Sequence, residues 1–367
     1  MSFAFAAVEG RRDLREFVAF TRRVYGRDPR HVPVLAQQIR GWHRGEVPGV
    51  RLHLLRDASG RVVGRTTLHT DAAFDAKLGK RLQLFGLTEF LDEDGVPEAL
   101  FGAICAAGRA AGRDAAFGPV SLLPNQAGGV ITSGYAERGF IDSAWNHPYY
   151  PRAYETCGFS RRFESDTWIC PATADPEAAF PFDDARIAAE DLVLHRGDRK
   201  RFRAQLPILR EMLNASFAQL GYYTEISAEQ LDRATDGLAH LIDESLLLYL
   251  TRAGRPVAFV LCVPDISEFV VKTGGDLGLP NQLRLLLTRS RYRRDAVLII
   301  KGTVPEAQGR GYMRLLSREL LRNVRAGGYE FLRSTYVERA NPGSAAQYEA
   351  MGGRPLHGYT FYEKGFH

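Results

Sequence analysis

Residues 296–316, AVLIIKGTVPEAQGRGYMRLL, decide how the chain is read. Ala296–Thr303 is a short, apolar, β-branched run, the pattern of a buried strand. Pro305 ends it, and Gln308-Gly309-Arg310-Gly311 is a glycine-rich turn. From Tyr312 onward, Met313, Leu316, Leu320 and Leu321 fall at helical spacing. A strand that enters a helix through such a turn aims backbone N–H groups and the positive end of the helix dipole at one spot. Glycine lets the backbone approach an anion with no Cβ in the way. The stretch therefore predicts a phosphate or pyrophosphate site. Two common phosphate loops are excluded. Gly311 is followed by Tyr312-Met313, not Lys-Ser/Thr, and the dinucleotide fingerprint needs three glycines and a later acid.

With Val304 and Pro305 ahead of Gln308-x-x-Gly311-x-Met313, the stretch resembles the acyl-CoA pyrophosphate loop of the GNAT (GCN5-related N-acetyltransferase) superfamily. That family reads Val-x-Pro, and it has Gly or Ala where Met313 stands. A second segment follows in the right order. After a predicted strand at Tyr329–Val337 comes Asn341-Pro-Gly-Ser344-Ala-Ala-Gln-Tyr348-Glu349-Ala-Met-Gly352. It is similar to the family's Asn-x-x-Ala/Ser-x-x-x-Tyr-Glu/Tyr-x-x-Gly-Phe, departing only at Gly353. The resemblance covers residues 245–367. It implies acyl-CoA or acetyl-CoA as the donor, contacted by Val304, Gln308, Gly309, Arg310, Gly311, Tyr312, Met313 and Asn341, and a small-molecule amine as the acceptor. It implies Tyr348 as the group that protonates the departing thiolate. A phenol at ~10 is a weaker acid than a thiol at ~8.5, so that transfer is uphill. Glu338, at the end of the strand leading to Asn341, is the candidate base. His357 is a further candidate beyond the motif.

The chain repeats itself. Tyr154-Glu155-x-x-Gly158 matches Tyr348-Glu349-x-x-Gly352, and Gly60/Gly254 and Asp71/Asp265 stand the same distance apart. Two tandem GNAT-like units are expected, each an α/β (α+β) unit with a mixed, mostly antiparallel sheet flanked by helices. The first spans 1–172, the Pro/Ala/Asp-rich linker 173–184, and the second 185–367. In the first unit Leu82–Phe90 leads through Asp92-Glu-Asp-Gly-Val-Pro97 into a helix. Three acids there cap a helix, and they would repel a pyrophosphate. The first unit is thus expected to be degenerate as a cofactor site. Its long stretch Pro124–Pro148 is a candidate cover for a cleft. The second unit carries an insertion, Glu268–Arg294. Within it Leu283, Leu286, Leu287 and Tyr292 make an apolar face suited to core or pocket wall.

The 367 residues carry 48 basic and 43 acidic side chains, a mild surplus of +5 that suits an anionic ligand. No apolar run is long enough to cross a bilayer, and no basic region precedes the apolar N-terminal patch. Cys105, Cys157, Cys170 and Cys262 show no metal spacing and read as reduced thiols, so a cytoplasmic, metal-free protein is expected. Two basic runs, Arg196–Arg203 and Arg289–Arg294, are either solvated faces or a docking surface for acyl-carrier protein or charged tRNA. An aminoacyl-tRNA-dependent transferase and a non-catalytic acyl-CoA-binding protein are the alternatives to an acyl-CoA N-acyltransferase.

Overall fold

The computed structural model describes residues 2–123, 127–235, 243–292 and 294–366. Residues 124–126 of the long first-unit stretch and Arg293 of the second basic run lie outside them. In chain order the elements begin with β1 (Phe3–Ala7), α1 (Arg11–Tyr25), α2 (Ala36–His43), β2 (Arg51–Asp57), β3 (Val62–His69) and α3 (Ala72–Leu78). Next are β4 (Leu82–Phe90), α4 (Val96–Ala110), β5 (Ala115–Gly118), β6 (Val130–Ile131), α5 (Tyr149–Thr156) and β7 (Ser160–Pro171). Then follow α6 (Pro176–Ala179), α7 (Ala185–Ala189), β8 (Leu192–Arg196), α8 (Phe202–Phe217), α9 (Ala228–Thr235), β9 (Leu247–Arg252) and β10 (Arg255–Pro264). The chain closes with α10 (Ser267–Thr273), α11 (Leu279–Thr288), β11 (Asp295–Thr303), α12 (Tyr312–Ala326), β12 (Phe331–Glu338), α13 (Pro342–Ala350) and β13 (Arg354–Gly365).

These elements form two compact units that interleave along the sequence. The first comprises residues 1–165, 267–282 and 357–367; the second comprises 166–266 and 283–356. In the first, β1-β2-β3-β4-β5 are followed by β13 from the chain's end. All neighbours are antiparallel except β4 and β5. The C-terminal strand belongs there because its aromatic side chains pack there. Tyr362 stacks on Tyr154 at 4.5 Å, and Phe361 stacks on Phe117 at 5.7 Å. The segment 267–282 is tied to the same unit through backbone groups: Ala36 N–H donates to Gly275 O and Ile141 N–H to the Ser267 hydroxyl.

In the second unit the order is β8-β9-β10-β11-β12, followed by the end of β7, with β11 and β12 parallel. One face of its sheet packs on α12, whose Leu315, Leu316, Leu320, Leu321 and Val324 join Leu248, Leu250, Ala296 and Leu298. The other face packs on α8, where Phe202, Leu206, Leu209 and Leu213 meet Tyr249 and Phe259. Pro207 sits in the first turns of α8 without ending it, as the sequence reading allows. The linker is not a free tether. Three arginines spaced along one face of α12 hold it: Arg318 to Asp184 at 2.5 Å, Arg322 to Glu177, and Arg325 to the carbonyl of Ala174.

Two expectations need correction. Gly95 is the N-cap of α4, with φ +75°, and no side chain caps it. Glu93 instead pairs with Arg61 at 2.5 Å. The acids at 92–94 still lie at the dipole's positive end. In α11 it is Leu285 that is buried, whereas Leu283, Leu286 and Leu287 face outward and form neither core nor pocket wall.

Candidate active site

The site is built on β11. Its antiparallel partner β10 pairs Leu261 with Ile300 but Cys262 with Leu298, so Ile299 is an extra, bulged residue. A bulge bends and twists the strand that carries it. On the other side, the parallel ladder to β12 pairs Asp295–Leu298 with Phe331–Ser334 and stops. Both strands run on, to Thr303 and Glu338. The Thr335 hydroxyl donates to Ile299 O at 2.8 Å, at the apex of the wedge that opens between them.

β11 leads into the glycine turn. Pro305–Ala307 form a short 3-10 turn, Gln308 is extended, and Gly309 and Gly311 have φ +74° and +80°. The left-handed backbone is what requires glycine, since a Cβ at either would meet nothing within 4 Å. Gly311 is the N-cap of α12, and no side chain caps it. The turn is held from outside the wedge. Ala307 and Tyr312 are buried, the Tyr312 hydroxyl donates to Glu190 at 2.5 Å, and Arg186 donates to Arg310 O at 3.1 Å. Among the described residues no group accepts from the N–H of Gly309, Arg310, Gly311, Tyr312 or Met313. Met313 packs its side chain against the hydrophobic cluster beneath α12. Gln308 donates to Thr303 O at 3.3 Å, and Val304, itself bonded to Val257 O, packs on both faces' clusters. Val304 directly precedes Pro305, so Thr303 holds the valine position of the family's Val-x-Pro spacing.

α13 supplies the other wall. Pro342 opens it and Asn341 caps it, its side-chain oxygen accepting from Ser344 N–H at 3.2 Å. Tyr348 is buried, stacked on Trp168 at 5.7 Å. Burial pushes its phenol far above the usual tyrosine range, and a hydrogen bond with Ser334 offsets only part of that.

Sequence reasoning missed Lys301. Its Nζ lies 4.0 Å from the centre of the Tyr348 ring and donates to Gln347 Oε1 at 2.9 Å. Among the described residues no carboxylate pairs with it. Burial pulls its ammonium down to about 7, with the thiols of Cys170 and Cys262 acting weakly the other way. A lysine inside a strand as apolar as Val297–Thr303 was the available signal.

Glu338 is half-buried at the end of β12, and burial raises its carboxyl above the usual range. Tyr222 stands near it, its own phenol raised by burial first and by Glu338 second, with the ring 6.2 Å from that of Tyr336. His357 belongs to the first unit, fully buried and stacked on Phe140. Among the described residues no cluster of His, Cys, Asp and Glu could hold a metal ion, and no helix is long and apolar enough to cross a membrane.

The corresponding place in the first unit differs. Beside β4 the chain at Gly118–Leu123 presses onto the strand. Val120 N–H donates to Phe85 O at 2.8 Å, and a Cβ on Gly86 would lie 1.8 Å from Val120 O. Tyr154, the counterpart of Tyr348, is buried as Tyr348 is, packed among Phe85, Phe101 and Tyr362.

No family model matches the chain. It is 25% identical over 365 residues to protein YghO of Escherichia coli K12, covering 96% of this chain and 93% of that one. It is 23% identical over 368 residues to a bacterial ceramide synthase of Caulobacter vibrioides, covering 96% and 94%. A tandem GNAT protein from the clavulanic acid biosynthesis pathway superposes over 99% of this chain and 98% of its own, with a TM-score of 0.57 at 14% identity. Superposition over nearly the whole of both chains means that the chain has the tandem GNAT fold.

Proposed function

We propose that the chain is an N-acyltransferase that moves an acyl group from acyl-CoA to an amine, at the wedge of the second unit. One observation carries this reading. The opened β11–β12 ladder leads to a turn whose five consecutive N–H groups have no acceptor among the described residues. Gly309–Met313 would bind the donor's pyrophosphate, with Gln308 and Val304 fixing the turn. The edge of β11 beyond Leu298 would hold the thioester and polarise its carbonyl with backbone amides.

The amine nitrogen attacks the thioester carbon, and the C–S bond breaks as the amide forms. Glu338 takes the amine's proton, which its raised carboxyl holds more readily than an exposed one would. The thiolate receives a proton at Tyr348. That phenol is a poor acid on its own, and the ammonium over its ring face stabilises the negative charge that develops there. Lys301, with its ammonium near 7, is the stronger acid and the ultimate proton source. Asn341 serves as the cap of α13. The pressed-down chain at Gly118–Leu123 leaves the first unit without a wedge, which supports one donor site per chain. The name of the ceramide synthase relative favours a lipid amine as acceptor.

Calorimetric titration with CoA tests the site. One equivalent per chain is expected, and Gly311→Asp, which strains a φ of +80° and adds a like charge, should weaken binding at least tenfold. Unchanged affinity in that variant, or two equivalents, rejects the reading. Turnover with charged tRNA or acyl-carrier protein but not with acyl-CoA rejects the donor.

A further inference from the structure

α11 leaves an apolar face without a partner. Leu279, Leu283, Leu286 and Leu287 lie along one side of the helix, and they are 75%, 62%, 36% and 85% exposed. Leu285, at 2% exposure, points the other way and anchors the helix. Single exposed leucines are ordinary, but four on one helical stripe are not. The flanks are cationic. Residues 277–294 contain five arginines and no acid. Arg284, Arg289 and Arg291 are exposed, and among the described residues no carboxylate pairs with any of them. Arg294 differs, being bonded to Glu330 at 2.8 Å.

We infer that this helix is a peripheral membrane-binding element, which lays its leucines into the surface of an anionic bilayer. A hydrocarbon surface accepts leucines spread over two helical turns without a matching pocket. Anionic headgroups neutralise the arginines beside them. A second copy of the chain fits less well, because a two-fold contact through this helix would set arginines against arginines. A nucleic acid would leave the leucines uncovered. One short helix gives weak, reversible and salt-sensitive attachment, not insertion.

Co-sedimentation of the full chain with vesicles tests this. The protein should partition onto phosphatidylcholine vesicles containing about one-third phosphatidylglycerol, and not onto phosphatidylcholine alone. Leu283→Asp with Leu287→Asp should reduce partition at least tenfold, and so should Arg289→Glu with Arg291→Glu or raised salt. All four positions are exposed, and unchanged thermal melting would verify folding. In a Leu287→Trp variant, indole emission should shift to the blue on adding anionic vesicles and be quenched by brominated acyl chains. No partition onto anionic vesicles overturns the inference. So does full partition of the double leucine variant. Binding to an acidic carrier protein in the absence of vesicle binding, lost in the same variants, would assign the face to that partner and also overturn it.

Discussion

Lys301 is the residue whose placement matters most. A lysine ammonium in a strand, with a tyrosine ring at 4.0 Å and no carboxylate partner among the described residues, is stabilised far less than it would be in water. Its titration near 7 gives two predictions of opposite kind. The ammonium is the form that can donate a proton, so activity should fall as pH rises through about 7, and Lys301→Met should remove that limb while lowering the rate. Glu338→Gln should remove the acid-side limb instead, because its raised carboxyl must be ionised to accept a proton. Stability runs the other way. The folded state binds fewer protons than the unfolded one between about 7 and the ordinary lysine value, so stability rises with pH across that window. The burden of the buried charge is greatest below it. Lys301→Met should therefore stabilise the fold more at pH 6 than at pH 10, by on the order of a few kcal/mol, read as a larger rise in melting temperature at pH 6. A pH–rate profile unaltered in Lys301→Met would remove the lysine from the proton path, and a pH-independent gain in stability would show that it is not buried as an ammonium.

Among the elements, the strand, the glycine turn and the helix at 296–326 were legible because each carries a local signal. β-branching favours the strand, glycine is required where φ is positive, and apolar spacing marks the helix. The opening of the wedge was not legible. It depends on one bulged residue, Ile299, and on a ladder that stops after Leu298, and neither has a local sequence mark. The capping at α13 was not read from the sequence, although its signal is there. Asn followed by Pro reads as a helix start, and the structure engages Asn341 there with Ser344 N–H. Asn341→Ala should accordingly lower stability by about 1 kcal/mol, the usual loss of an N-cap. Asn341→Asp, which keeps the cap, should restore it. Affinity for CoA should change little in either variant. A large loss of CoA affinity in Asn341→Asp with stability intact would show that Asn341 contacts the cofactor as well as capping the helix.

At the scale of the whole molecule, the duplication was legible and the exchange of strands was not. β13 is buried without interruption from Leu356 to Tyr362, and such a run does not tell which strand it will join. The aromatic residues decide it. Tyr362 is fully buried, pairs with Gly118 and stacks on Tyr154, so the end of the chain completes the first unit's sheet. The segment 267–282 likewise belongs to the first unit, although it lies within the sequence of the second. A substitution near the C-terminus should therefore be felt in the N-terminal half. Tyr362→Ala removes a buried aromatic, at a loss of roughly 3–5 kcal/mol. Amide exchange should accelerate in β5, α4 and α5 and stay slow in β11 and α12. CoA affinity should survive as long as the second unit stays folded. If protection were lost first in β11 and α12, the C-terminal strand would support the second unit instead, and the interleaved assignment of the two units would fall.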